Sequence, residues 1–177
     1  GYDWAADAIG TLNARGIVSG KEEGKFFPGD DITRAEFVSI IVRAFGLFDE
    51  TAECSFTDVA SDHWSYRYIA SGFNSGIISG IGADMFGGSE KITREQMAAI
   101  LYRAIRNSSV IKRLDVINNN LRDFDAVSGY AQNSVLVLSN LGIINGYGDG
   151  SFAPQKNATR AEVSVMINNT LGVIADD

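Results

Sequence analysis

The chain carries a single cysteine and a single histidine among its 177 residues, and each scarcity excludes a class of chemistry. With Cys54 alone, no intrachain disulfide can form and no thiolate metal cluster can be built. This does not fix the compartment, because a cytosolic protein and an exported bacterial one can both do without disulfides. His63 alone cannot supply an H-E-x-x-H pair or a two-histidine site, and its place beside Trp64 reads as the first turn of a helix. No apolar stretch approaches 18 residues, so no membrane span is expected. A basic footprint is also missing: 15 Lys and Arg stand against 22 Asp and Glu, for a net charge of −7. Binding to nucleic acid or anionic lipid through an overall field is thereby excluded, and any anion must be held by a few placed cations. There is no G-x-S-x-G elbow and no P-loop. "NGYGDGSF" (Asn145–Phe152) invites a calcium-loop reading, but an EF-hand counted from Asn145 puts Tyr147 and Lys156 where oxygen donors are needed. No pair of carboxylates is singled out for glycoside hydrolysis. The expectation is therefore no metal, no cofactor and no enzymatic activity. No basic and apolar leader precedes Gly1, and the chain opens inside a helix-start region, so a mature or excised piece of something longer is expected.

What the chain has in abundance is repetition. "RGIVSGKEEGKFFPGDDITRAE" (Arg15–Glu36) aligns without a gap with "SGIISGIGADMFGGSEKITREQ" (Ser75–Gln96) and "LGIINGYGDGSFAPQKNATRAE" (Leu141–Glu162). Arg34, Arg94 and Arg160 lie 60 and 66 residues apart. The same offsets relate glycines 16, 76 and 142, glycines 20, 80 and 146, Phe26, Phe86 and Phe152, and, upstream, Trp4, Trp64 and Tyr130. "FTDV" (Phe56–Val59) and "LRDF" (Leu121–Phe124) lead into the second and third units; the first has no counterpart.

Each unit reads as helix, glycine-bounded turn or short strand, helix. In "DWAADAIGTLNARG", Trp4, Ala5, Ala8, Ile9 and Leu12 recur at helical spacing, with Asp3 as candidate cap and Gly16 as stop. "GIVSG", "GIISG" and "GIING" place two apolar residues between glycines, which predicts a short buried strand. The second helices open on capping boxes: Thr33 with Glu36, Thr93 with Gln96, Thr159 with Glu162. One such unit cannot bury its apolar faces alone, whereas three about a pseudo-threefold axis can share a core. Units are expected at about 1–50, 51–107 and 121–177 of a single domain. Between the last two, 108–120 should form a short helical linker, with apolar residues at 110, 111, 114 and 117 and an Asn-rich end.

The boxes raise an electrostatic question. A threonine N-cap makes Arg34, Arg94 and Arg160 the first helical residues, at the positive pole of the macrodipole, where a cation is disfavoured by roughly 0.3–1 kcal/mol.

Three tandem units with a Trp-bearing first helix, a "G-[IV]-[IV]-x-G…F-x-P" loop and a "[IA]-T-R-[AE]-[EQ]" helix start resemble the S-layer homology domain family over nearly the whole chain. The resemblance implies a mainly α fold, a three-pronged spindle around a central three-helix bundle. It also implies a secreted, non-enzymatic module, monomeric in isolation, that anchors a surface protein to the bacterial cell wall or S-layer. The implied partner is a secondary cell-wall polysaccharide, often with a pyruvylated amino sugar, and the implied ligand-binding arginines are Arg34, Arg94 and Arg160.

A pyruvate ketal carries a permanent carboxylate, and arginine matches a carboxylate with a planar fork. Free amides at a helix start attract the same group, so cation and pole would repel each other when empty and share a ligand when occupied. The bland alternative pairs each arginine with a structural carboxylate of a neighbouring unit, such as Asp58 or Asp123. Repeats serving self-assembly or partner docking would use the arginines in that way.

The remaining repeated positions have two readings each. Trp4, Trp64 and Tyr130 could pack a sugar ring or anchor the first helix in the core, and the high average burial of large aromatics favours the core. Ser19, Ser79 and Asn145 could bond a sugar hydroxyl or stabilise a turn. Gly20, Gly80 and Gly146 serve backbone geometry and permit close ligand approach. Glu95, beside Arg94, should compete with an anionic ligand, so the three grooves are expected to be unequal.

Overall fold

The computed structural model describes residues 1–82, 84–114 and 118–175. Among these, the regular structure is mainly helical, and pairing of extended backbone is confined to isolated bridges. The first unit supplies α1 (Ala6–Ala14), preceded by a 3-10 turn over Asp3–Ala5, and α2 (Arg34–Ala44). The second supplies α3 (Tyr66–Asn74) and α4 (Arg94–Ile105), and the third α6 (Gln132–Asn140) and α7 (Arg160–Ala175). Between them lies α5 (Ser109–Lys112), a single turn within the stretch predicted as a helical linker; of the apolar positions named there, 117 lies outside the described residues.

Each first helix stops in the same way. Gly16, Gly76 and Gly142 adopt φ of 68°, 70° and 68°, which a glycine takes without a Cβ penalty. In the first unit the Ile17 amide then reaches back to Leu12 O at 2.9 Å and the Gly16 amide to Asn13 O at 2.9 Å, a Schellman closure repeated in the other two units. This corrects the predicted strands. The apolar pairs Ile17–Val18, Ile77–Ile78 and Ile143–Ile144 are buried, but as the residues that seal a helix end. Asp3 makes no side-chain capping bond, and α1 begins on Ala5 without one.

The second helices do open on reciprocal boxes. Thr33 accepts from the Glu36 amide while Glu36 accepts from the Thr33 amide, and Thr93 with Gln96 does the same. In the third unit the Thr159 amide donates to Glu162 at 2.8 Å and the Glu162 amide to Thr159 Oγ1 at 3.3 Å.

The units are joined in a cycle. Just before each threonine, Ile92 N–H donates to Ile32 O, Ile32 N–H to Ala158 O and Ala158 N–H to Ile92 O, at 3.1, 3.1 and 2.9 Å. All three residues are fully buried, so this closed triangle of amides lies in the core. Helix packing follows the same order: α2 packs on α3, α4 on α6 and α7 on α1, while α7 also touches α2 and α4. Each second helix is therefore covered by the first helix of the next unit, not of its own. Phe37, Phe86, Phe152, Met97, Leu101 and Leu138 are among the fully buried side chains that fill the shared core.

Candidate functional site

The cyclic joints determine what the helix-start arginines can do. In the first unit the Arg34 and Ala35 amides donate to Glu90 O at 2.9 Å and Gly88 O at 3.0 Å, both in the second unit's loop. Arg94 and Glu95 donate in the same way to Lys156 O and Pro154 O, and Arg160 and Ala161 to Asp30 O and Pro28 O. The helix starts thus have no free amides to offer an anion. A helix end buried at a joint cannot leave its N–H groups unpaired, and carbonyls of the next unit occupy them.

The guanidinium groups cross the same joints. Arg34 Nε donates to Phe86 O at 3.2 Å, Arg94 Nε to Phe152 O at 2.7 Å and Arg160 Nε to Phe26 O at 2.9 Å. Each cation lies over the ring whose carbonyl it meets, with centroid distances of 4.9, 4.9 and 4.4 Å. Nη2 of Arg34 reaches Ser79 O at 3.4 Å, and Nη2 of Arg160 reaches Ser19 O at 2.6 Å. Carbonyl oxygens and aromatic faces of the neighbouring unit therefore offset the unfavourable pole. The three arginines are only 4, 3 and 7% exposed, and burial pushes the pKa of Arg34 and Arg160 down from the usual arginine value.

The lead-in carboxylates have a different duty from pairing with these arginines. Asp58 accepts from the amides of Phe86 and Gly87, and Asp123 from those of Phe152 and Ala153, all at 2.7 Å. They hold a left-handed loop residue, φ 73° at Gly87 and 52° at Ala153, directly after the carbonyl that meets the arginine. Burial would raise the Asp58 pKa, but the two amides outweigh it and hold the carboxyl below its ordinary value.

Around the arginines open three composite grooves. The Arg34 groove, about 390 Å³, gathers Ser79, Gly80 and Tyr130. The Arg94 groove, about 350 Å³, gathers Asn145, Gly146 and Trp4. The Arg160 groove, about 200 Å³, gathers Ser19, Gly20 and Trp64. Every groove takes its arginine from one unit, its loop from the next and its aromatic ring from the one after. All twelve repeated positions singled out in the sequence fall four by four into these cavities. Trp4, Trp64 and Tyr130 are 57, 53 and 57% exposed, which corrects the expectation that they anchor the core. The glycines allow a tight loop: a Cβ at Gly20 would come within 2.7 Å of Lys25 O, and one at Gly146 within 2.6 Å of Ser151 O.

The grooves differ in charge. The Arg34 groove adds Arg103 and has the neutral Gln96 on its wall. The Arg160 groove adds Arg43 and Lys21 against one carboxylate, Glu36. The Arg94 groove has one cation and one carboxylate, Glu162, which form an ion pair of 3.0 Å. The Glu162 pKa would rise on burial, but the Thr159 amide, the Tyr147 hydroxyl and Arg94 outweigh that and lower it.

Glu95, expected to compete beside Arg94, turns away from it. It accepts from the Ser128 amide, the Ser128 hydroxyl and the Tyr130 hydroxyl at 2.9, 2.8 and 2.9 Å. It thereby tethers the aromatic wall of the Arg34 groove. Burial and this bond raise the Tyr130 pKa well above its usual value.

Arg43 and Arg103 escaped the sequence reading. They lie seven residues beyond Glu36 and Gln96, two turns along the same helix face, but the third copy is Asn169 and breaks the pattern.

Comparison with known proteins agrees with the repeat structure. The profile of the S-layer homology domain matches residues 1–38, 55–98 and 120–164. An amylopullulanase of Thermoanaerobacterium thermosulfurigenes is 37% identical over 169 residues, covering 96% of this chain and 9% of the relative. The exoglucanase XynX of Acetivibrio thermocellus is 34% identical, covering 96% and 16%. An S-layer protein of Bacillus licheniformis is 34% identical over 166 residues, covering 93% and 18%. The chain therefore spans less than a fifth of the length of each of these relatives.

Proposed function

The chain belongs to the S-layer homology domain family, and from that premise we propose that it anchors a secreted surface protein to the bacterial cell wall without covalent linkage. Its ligand is the secondary cell-wall polysaccharide, recognised through an acid-bearing sugar such as a pyruvylated amino sugar. The observation that carries this reading is the sorting of the twelve repeated positions into three open grooves, each with a cation at its base, a polar loop and an exposed aromatic ring. A sugar ring stacks on Trp64 or Tyr130, and the loop at Ser19–Gly20 or Ser79–Gly80 approaches its hydroxyls. Nε and Nη2 of Arg34 and Arg160 are spent on carbonyls, so the acid group meets Nη1 together with the second cation on the wall, Arg103 or Arg43. A charge-assisted contact of this kind, shielded by the groove, is roughly twice as strong as a neutral hydrogen bond. Several weak sites on one chain add avidity, because later contacts become intramolecular. The module acts as a monomer and performs no catalysis; the enzymes among its relatives place it beside other sequence.

Sedimentation with wall sacculi tests the proposal. Intact sacculi should carry the module into the pellet, and sacculi stripped of polysaccharide should not. Calorimetry with a pyruvylated amino-sugar disaccharide should give heat that the unmodified disaccharide lacks at the Arg34 and Arg160 grooves. Equal sedimentation with stripped walls overturns the proposal, and pelleting of the module alone points to self-assembly instead.

A further inference from the structure

Resting on the wall-binding reading, we propose that the Arg94 groove accepts an uncharged sugar, because the Glu162 carboxylate already fills its acid socket from within. Glu162 Oε1 stands 3.0 Å from Arg94 Nη1. On Arg34 and Arg160 that same nitrogen has no protein partner among the described residues. Both oxygens of Glu162 are committed: Oε1 also accepts from the Tyr147 hydroxyl at 2.7 Å, and Oε2 accepts from the Thr159 amide at 2.8 Å. Lys156 stands behind this network, donating to the Tyr147 hydroxyl at 3.0 Å.

An incoming carboxylate would have to break these bonds or sit against a like charge in a partly enclosed site. The paired side chains are 4% and 11% exposed, so solvent screens that repulsion poorly. No second cation lines the cavity, since Asn169 holds the place of Arg43 and Arg103. The rest of the wall suits a neutral ring: exposed Trp4 beside Ile143, Val165 and Met166, with Asn145 able to donate to and accept from hydroxyls.

Tyr147 is the residue that sets this specificity. The Arg160 groove has the equivalent carboxylate, Glu36, yet no ion pair forms there within 4 Å among the described residues. Position 21 in that groove is a lysine paired with Asp30 at 2.9 Å, so no hydroxyl presses Glu36 against the guanidinium. In the Arg34 groove the equivalent positions are Ile81 and the uncharged Gln96.

The two tryptophans make the test direct, because Trp4 lines the Arg94 groove and Trp64 the Arg160 groove. The side-chain N–H resonances are followed by NMR during titration with a pyruvylated amino-sugar disaccharide and with its unmodified counterpart. Trp4 should respond to the unmodified sugar and bind the pyruvylated one at least tenfold more weakly than Trp64 does. Glu162→Gln should strengthen binding of the pyruvylated sugar at Trp4 at least tenfold and leave Trp64 unchanged. Gln96 shows that glutamine preserves the capping box. Tyr147→Ile, which installs the side chain of position 81, should move the preference in the same direction and serves if the first variant does not fold. The inference is overturned if Trp4 of the parent protein binds the pyruvylated sugar as tightly as Trp64, if it responds to neither sugar, or if both variants leave its preference unchanged. Should Trp64 also ignore the pyruvylated sugar, the wall-binding reading falls and the inference with it.

Discussion

Replacing Glu95 with alanine isolates one polar tether whose cost can be worked from its contacts. The equivalent positions, Ala35 and Ala161, are buried alanines, so the smaller side chain fits a site of this shape. The substitution removes three hydrogen bonds, from the Ser128 amide, the Ser128 hydroxyl and the Tyr130 hydroxyl. A hydrogen bond to a charged group contributes about 1.5–3 kcal/mol, and such values do not add within one network. Tyr130 is 57% exposed and Ser128 half-buried, so water recovers part of the loss. The expected cost is about 2–3 kcal/mol of unfolding free energy, or roughly 4–12 °C in Tm for a chain of this size.

The pH dependence gives a second readout of the same tether. Burial would raise the Glu95 pKa, but the bonds from Ser128 and Tyr130 outweigh it, so the folded value lies below the ordinary one. A lowered folded pKa means stability that is present above the unfolded value of about 4.3 and is lost as pH falls through the folded value. The gap between parent and variant in urea titrations should therefore be full at neutral pH and close below about pH 4.3. A gap under about 0.5 kcal/mol at pH 7, the range of ordinary surface substitutions, would refute the reasoning.

Three further predictions follow from local geometry. Thr33→Ala removes an N-cap and should cost about 1 kcal/mol, read as a shift in the urea midpoint at unchanged m-value. Arg94→Ala leaves the Glu162 carboxylate without its counter-charge and should cost about 2–4 kcal/mol, less than a fully buried pair because Glu162 keeps two hydrogen bonds. Comparing melts at pH 7 and pH 3.5 should show that deficit shrinking as Glu162 protonates. Gly146→Ala places a Cβ within 2.6 Å of Ser151 O and should cost about 1–3 kcal/mol. Gly148→Ala, which meets open space, should stay within about 0.5 kcal/mol by the same thermal melts.

What could be read from the sequence was what is local or repeated in register. The capping boxes and the glycine stops depend on residues within one helical turn, and both stand in the structure where they were expected. The apolar pairs after the glycines misled because a Schellman closure also demands an apolar residue just past the glycine, and two such residues look like a strand. The exposure of Trp4, Trp64 and Tyr130 was invisible because periodicity shows that a side chain recurs on a face without showing what covers that face. The occupied helix-start amides depend on carbonyls more than 50 residues away, in a register that only folding reveals. Glu95 and Tyr147 each occur in one unit, so no repeat marked them. Arg43 and Arg103 were lost because Asn169 interrupts the third copy.

The cyclic joint also governs how the module could be shortened. Each cavity borrows one part from every unit, so removing one unit does not leave two working cavities out of three. It leaves none intact, because an arginine would lose its loop, a loop its ring, or a ring its arginine. Occupancy is therefore indivisible in this chain: a two-unit relic is no weaker version of the whole, and only a partner chain lending the missing third could restore it.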